Sequence, residues 1–352
     1  MNETDRSESV RMVRDSVRAI VPAGGDLNRI RALRWDSRGV DGAVWQQVVD
    51  LGWLTLLLEE DRGGLGLGVR ELAAIGEELG AALVPEPVTS VAAMVPLLEG
   101  SVRQSVLDGT LIVVPAWRET TSRLDAKPRT AVQDGRGNGT KVLVASAAVA
   151  DAFVVSTEGG AVLVYRNADG VELDLKQTQD GGQSGTLTLT DATCTPLAED
   201  FAAMLEMLAL AHSGYLLGAS ERAFAMTLDY LGIRKQFGRP IGSFQVLQHR
   251  AAEAKIQLAI SKAVLDEAIL DVERHASSQA RLRSSSRALA RVSDTAMLIA
   301  REAVQMHGAI GITDEHDIGL FCRKILTHYN RFGTASANRS RYLASLQMES
   351  AA

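Results

Sequence analysis

Apolar residues recur at helical spacing through the first hundred positions. Val13, Val17 and Ile20 form one stripe. Val44, Val48 and Leu51 form a second, behind an Asp41 suited to cap the helix and ahead of Gly52 as its stop. Leu72, Ile75 and Leu79 form a third that ends at Gly80, and Pro85 and Pro87 then interrupt the chain before a short apolar segment around Val91–Leu98. From about Leu107 to Pro196 the period falls to two. Leu111–Val114, Val142–Val144, Phe153–Val155, Val162–Tyr165, Leu173–Leu175 and Leu187–Leu189 read as strands, separated by turn pairs such as Asp134–Gly135, Gly159–Gly160 and Asp169–Gly170. Alternation in Gly185–Thr190 buries one face and wets the other, as in a small β-barrel or sandwich. Helical spacing returns at Phe201: Leu217, Phe224, Leu228 and Leu231 share a stripe, as do Leu247, Ala251, Ala254, Leu258, Leu265 and Ile269, and as do Leu289, Val292, Ala296, Ile299, Ala303 and Met306. A corner at Arg234–Gln245 and a loop at ASSQARLRSSS separate these, and Ile318–Leu346 completes a bundle. The pattern predicts a multidomain α and β chain: N-terminal helices over 1–106, a β domain over 107–198 and a helical bundle over 199–352.

Composition narrows the function classes. A formal charge of -6 argues against a nucleic-acid-binding surface. Cys194 and Cys322, the only cysteines, have no metal-ligand spacing and fit a reducing compartment. The apolar run Phe201–Ala219 carries Glu206 and His212 and reads as a buried helix, not a membrane span. The start MNETDRSESVRMVRD lacks the apolar core of a signal peptide, so a cytoplasmic location is expected.

The chemistry concentrates in YLGIRKQFGRPIGSFQVLQ, Tyr230–Gln248. Gly238 and Pro240 break the preceding helix, and Ser243 is placed to cap the next one. Arg234, Lys235 and Arg239 make a cationic corner suited either to an anion such as a pyrophosphate or simply to solvent. GGLGLG before the third helix lacks the lysine-serine ending of a phosphate loop and reads as a glycine turn. Gln305 and Gly308 in QMHGAIGITDEHD fit a helix C-terminus with a glycine stop.

Together these blocks resemble a known family. R-x-Q-F-G-x-P-I-x-x-F-Q with a tyrosine four residues earlier, QMHGAIGITDEHD, and EEDRGGLGLGVRELAAIGEELG at Glu59–Gly80 are similar, in order and spacing, to the signatures of acyl-CoA dehydrogenases. The resemblance implies an N-terminal all-α domain, a middle β-barrel domain and a C-terminal four-helix bundle. It also implies FAD as cofactor, an acyl-CoA substrate oxidised to the 2-enoyl-CoA, and an electron-transfer flavoprotein or similar acceptor. On the same ground Arg234, Gln236, Phe237, Gln245, Gln305, Gly308 and Ala309 are expected at the pyrophosphate and adenosine end of FAD, Ala309 standing where many members have a second glycine.

Other family features are absent. The flavin-wrapping threonine-glutamate-proline and glycine-serine-aspartate loop is replaced by VVPAWRETTSRLDAKP, and the threonine-asparagine pair by Ala145 and Ser146. Phe332, before Gly333 and Thr334, occupies the usual position of the catalytic glutamate. Leu208 occupies the alternative position of the base, and Glu206, two residues away, faces roughly 200° around the helix. No catalytic residue is therefore assigned. The pattern resembles the short, base-less subunit of two-component (α2β2) steroid side-chain acyl-CoA dehydrogenases, which pairs with a larger paralogue. A catalytically silent scaffold and an independent homomeric dehydrogenase with a relocated base stay open as alternatives.

Overall fold

The computed structural model describes residues 3–22, 24–36, 38–121, 128–198, 200–275 and 277–350. Its helices are α1 (Glu3–Ile20), α2 (Asn28–Leu33), α3 (Gly42–Asp50), α4 (Val69–Ala81), α5 (Val88–Met94) and α6 (Gly100–Leu107), then α7 (Phe201–Ile233), α8 (Gln245–Arg274), α9 (Ser278–His307), α10 (Ile318–His328) and α11 (Ala335–Ser350). Between α6 and α7 lie β1 (Val113–Ala116), β2 (Ala131–Gln133), β3 (Arg136–Ala145), β4 (Ala152–Thr157), β5 (Gly160–Tyr165), β6 (Val171–Gln177), β7 (Gln183–Thr193) and β8 (Thr195–Leu197). A short hairpin, β9 (Lys235–Gln236) with β10 (Arg239–Pro240), follows α7. The chain clusters into two compact units, one of Asn28–Leu72 with Pro85–Leu208, the other of Met1–Leu27, Ala73–Val84 and Ala209–Ala352.

In the strand-bearing unit, Asp41 caps α3 as its position suggests, accepting from the amides of Ala43 at 2.9 Å and Val44 at 3.4 Å. Trp45 and Val48 are the buried residues of α3. Leu51, expected to face inward, is 45% exposed, because α3 ends at Asp50 and the left-handed Gly52 (φ 70) turns the chain there. The strands form two four-stranded sheets, β1-β4-β5-β8 and β2-β3-β7-β6. β1 runs parallel to β4, and the second sheet is antiparallel throughout. Asp134 and Gly135, both at positive φ (51° and 74°), make the tight turn joining β2 to β3. The β4 segment AFVVST is buried at every position, as a central strand must be. In β7, Leu187 and Leu189 are buried and Thr190 exposed, the alternation the sequence carried. β2 and β8 escaped the sequence reading because three-residue strands are too short to show a period.

In the helical unit α9 packs against α8, α10 and α11. Leu289, Val292, Ala296, Ile299, Ala303 and Met306 are all buried along α9. Much of the expected ASSQARLRSSS loop is helical: Ser277 caps α9 by accepting from the Ala280 amide at 3.2 Å, and Ser284, Ser285 and Ser286 are buried within the helix. Leu228, expected on the buried stripe of α7, is exposed, and it lines a groove of about 560 Å³ with Phe224, Ala251 and Leu258. Among the described residues α7 alone has the length and apolarity of a membrane span, and 72% of its most apolar window is buried inside the protein.

Glycines set how closely α4 and α7 approach. A Cβ on Gly76 would stand 2.3 Å from the Ala211 carbonyl oxygen, and one on Gly80 2.0 Å from that of Tyr215. Reciprocally, a Cβ on Gly214 would lie 2.5 Å from the Ala73 oxygen, and one on Gly218 1.8 Å from that of Glu77. The two backbones therefore touch, and no side chain fits between them. Gly218→Ala is expected to cost stability at or above the top of the roughly 1–3 kcal/mol range for overpacking, read as a lower urea midpoint. Gly232→Ala is the control: nothing lies within 4 Å of its Cβ position, so the midpoint should hold or rise. An ionic cluster docks α1 nearby, Arg14 reaching Glu77 at 2.6 Å and Glu78 at 2.7 Å while Lys262 reaches Glu77 at 3.2 Å.

Candidate functional site

The corner after α7 is a cationic hairpin. Residues 234–239 are all exposed, and Phe237 at its tip is 92% exposed with φ 52 beside Gly238 at φ 79. The Ile241 amide donates to the Arg234 carbonyl at 2.8 Å, which closes the turn. The Arg239 guanidinium lies 4.2 Å over the Phe244 ring, and Phe237 meets the same ring edge-on at 6.1 Å. The Gln236 side chain donates to the Lys235 carbonyl at 2.7 Å, and Gln245 opens α8, exposed. Ser243 does not cap α8. Its hydroxyl donates to the Pro240 carbonyl at 2.7 Å, and Phe244 is the residue at the N-cap.

The second candidate segment ends α9. Gln305, Gly308 and Ala309 are exposed. Gly308 stops the helix at φ 67, ψ -142, a conformation that excludes side chains even though its Cβ position faces open space. The glycine is there for its backbone and not for room. The two segments meet through Tyr230, whose carbonyl accepts from the Arg234 amide at 2.9 Å and whose ring stacks on His307 at 4.4 Å.

Leu208 and Phe332, the two positions the resemblance assigns to the family base, are apolar and closed. Leu208 is 3% exposed and Phe332 7%. Phe332 lies 5.2 Å from the His212 ring; His212 stacks on His328 at 5.4 Å, and Tyr215 on His328 at 5.1 Å. The His212 Nε2 contacts the His328 carbonyl at 2.9 Å, and the Tyr215 hydroxyl donates to the Val84 carbonyl at 3.2 Å. Burial, with Arg331 nearby, pushes the His212 pKa down to about 3; burial likewise holds His328 well below the usual histidine range. Both rings are therefore neutral near pH 7. Glu206 is half-buried.

On the β side, Lys141 is fully buried, with its ammonium 2.6 Å from Glu119 and 3.0 Å from the Ser156 hydroxyl. Glu119 also accepts from the amides of Arg129 and Thr130 and from the Thr130 hydroxyl. These bonds overcome its desolvation and bring its pKa down to about 2. The segment after β1, where family members carry the flavin loop, is thus tied into the protein through its own Glu119. Residues 122–127 of that segment lie outside the described residues.

The ring cluster around His212, the Tyr230–His307 stack and the Lys141–Glu119 pair are not legible in the sequence. The available signals were a histidine inside the apolar run of α7 and a histidine inside the glycine motif.

Comparison with known proteins settles the class. A model of the acyl-CoA dehydrogenase C-terminal domain matches residues 200–346, and one of the N-terminal domain matches residues 7–102. Acyl-CoA dehydrogenase IpdE2 of Mycolicibacterium smegmatis is 30% identical over 327 residues, spanning 90% of this chain and 92% of that protein. A variant of the Tcur3481–Tcur3483 steroid ACAD shares the fold with a TM-score of 0.90 at 24% identity, over 99% of this chain and 100% of the other. The ChsE4–ChsE5 complex from Mycobacterium tuberculosis gives 0.84 at 24% identity, over 99% and 98%. The chain belongs to the acyl-CoA dehydrogenase family. FAD is the cofactor of that family, and PigA, a similar fold at 18% identity with a TM-score of 0.79 over 99% of each chain, is solved as its FAD complex.

The corner fits an anionic part of that cofactor. Among the described residues the side chains of Arg234 and Lys235 make no ion pair, and Arg239 only stacks on Phe244. Three cations at one exposed turn without carboxylate partners suit a diphosphate.

Proposed function

We propose that this chain is a subunit of a heteromeric, FAD-dependent acyl-CoA dehydrogenase, in which a larger paralogue supplies the catalytic glutamate and the flavin-ring cradle. Phe332 carries the reading: it is buried among neutral rings at the family's base position, where no proton can be accepted. FAD accepts the β hydride of the acyl thioester when bound. This chain's own residues would hold the pyrophosphate and adenosine end of the cofactor, Arg234 gripping the pyrophosphate and Gln236, Phe237, Gln245, Gln305, Gly308 and Ala309 lining the same end. A bulky steroid side-chain thioester is the proposed substrate, supported by the fold shared with the Tcur3481–Tcur3483 steroid ACAD over 99% of this chain. The assembly is proposed to be cytoplasmic and to pass its electrons to an electron-transfer flavoprotein or similar acceptor.

Purified alone, the chain should carry little FAD and oxidise acyl-CoA negligibly, and co-expression with its paralogue should restore both. Brisk turnover by the lone chain, abolished by Glu206→Gln, would instead establish a homomeric enzyme with a relocated base. In the assembled enzyme, Arg234→Ala should lower FAD occupancy about tenfold or more, since each charge-assisted bond is worth about 1.5–3 kcal/mol. Arg234→Lys should rescue only in part, keeping the charge and losing the fork. Flavin per complex, measured by absorbance after co-purification, decides the matter, and undiminished occupancy removes Arg234 from the site.

A further inference from the structure

Three rings stand where the two cofactor segments meet. Tyr230, in the last turn of α7, stacks on His307 of α9 with centroids 4.4 Å apart and planes 21° from parallel. His316 closes the group edge-on, 4.7 Å from His307 and 6.0 Å from Tyr230. Each ring is anchored to backbone that matters nearby. The Tyr230 carbonyl accepts from the Arg234 amide at 2.9 Å, the last helical bond before the hairpin, so the ring stands one turn from the cationic corner. His307 lies between Gln305 and Gly308, its Nδ1 2.8 Å from the Ala303 carbonyl. The His316 Nδ1 accepts from the Ile318 amide at 3.1 Å, which pins the segment leading into α10.

The Nδ1 contact makes His307 a donor at that atom, leaving Nε2 as a buried acceptor with no hydrogen-bond partner. A side chain only 4% exposed with an unsatisfied nitrogen gives up hydrogen bonding to keep its position, and what it gains is the stack. Burial also lowers the His307 pKa, which keeps the ring neutral.

We propose that Tyr230, His307 and His316 are positioning residues: a three-ring joint that aligns the end of α7 with the end of α9, so that Arg234 and Gln305–Ala309 reach one FAD molecule together. The proposal rests on the assignment of those residues to the cofactor. Alone, neither α7 nor α9 fixes the relative placement of its terminal residues, because the hairpin is exposed from 234 to 239 and Gly308 ends its helix at open space. The joint supplies that constraint through faces and edges of rings, so the tyrosine hydroxyl is not required.

The test is an FAD titration of the flavin-depleted native assembly, followed by flavin fluorescence, with a double-mutant cycle. Tyr230→Ala and His316→Leu should each weaken FAD binding about fivefold, while Tyr230→Phe should bind like the wild type. Because Tyr230 acts in part through Arg234, the double variant Tyr230→Ala with Arg234→Ala should lose less than the sum of the two single losses; a merely structural defect would add. His316→Leu, at a half-buried edge position, keeps the test available if Tyr230→Ala does not assemble. An unchanged affinity in Tyr230→Ala or His316→Leu, or strictly additive losses, overturns the joint while leaving the cofactor assignment intact. Unchanged binding in Arg234→Ala overturns the assignment and the joint with it.

Discussion

Phe332→Glu, which puts a carboxylate where the proposed reading locates the family's base, should destabilise this chain by about 3–5 kcal/mol and give it no dehydrogenase activity alone. The phenylalanine is 7% exposed, with its ring 5.2 Å from that of His212. Its carbonyl accepts from the Asn338 side chain at 2.9 Å, and that same amide reaches the carbonyls of Gly333 and Thr334. The backbone is therefore held, and the new carboxylate would enter a cluster of rings that are neutral because they are buried. A poorly paired buried charge is among the few single changes that cost this much, and Arg331, whose charge already reaches His212 and His328, offsets only part of it. Urea denaturation measures the first expectation, and an acyl-CoA oxidation assay on the lone variant the second. A variant that folds normally and turns over acyl-CoA would mean that this chain lacks only its base, and the heteromeric reading would fall.

The same cluster should make stability fall as the solution is acidified from pH 7 to 5. His212 has a folded-state pKa of about 3, and that of His328 is also well below the usual value. Below about 6.5 the unfolded chain binds protons that the folded chain refuses, so unfolding is favoured by about 1.4 kcal/mol per pH unit for each histidine. His328 and His307, both also lowered by burial, act in the same direction, so the loss between pH 6.5 and 5 should amount to a few kcal/mol, about 1.4 kcal/mol per pH unit for each group still neutral across the window. The carboxylates held low, Glu119 and Glu77, act only as the pH passes below about 4.5, outside this window. Glu221, raised by burial, opposes the trend and flattens it somewhat. Urea midpoints at pH 7, 6 and 5 test this. His328→Phe, which keeps a ring against Tyr215 and removes one of three such histidines, should lower the slope by roughly a third, and a slope unchanged by that substitution would show that other groups carry the acid sensitivity.

The order helices, strands, helices was legible because the helices bury continuous stripes while β4 and β5 are short apolar runs and β7 alternates, and local spacing records each. Asp41, the Asp134–Gly135 turn and Gly52 were legible for a related reason: caps and tight turns satisfy backbone groups within a few residues. The cationic corner was legible as well, since Arg234–Gln245 is contiguous in the chain. Its failures were also local in origin. Ser243 was assigned to the cap, but its hydroxyl found a nearer acceptor in Pro240. Leu51 and Leu228 obeyed the helical period, yet a period cannot tell which part of a face a neighbouring element will cover.

Only the tertiary structure decided which distant residues share an environment. Nothing local joins His212 to His328, Tyr230 to His307 or Lys141 to Glu119. Those pairs form because packing brings separate elements within contact, and burial then fixes the charge of each group. The glycines of α4 and α7 show the division most plainly. In the sequence Gly80 reads as the stop of the third helix, and nothing in the spacing marks Gly76, Gly214 or Gly218. The structure shows backbone carbonyls occupying the space where their side chains would be, which only the crossing of the two helices could determine.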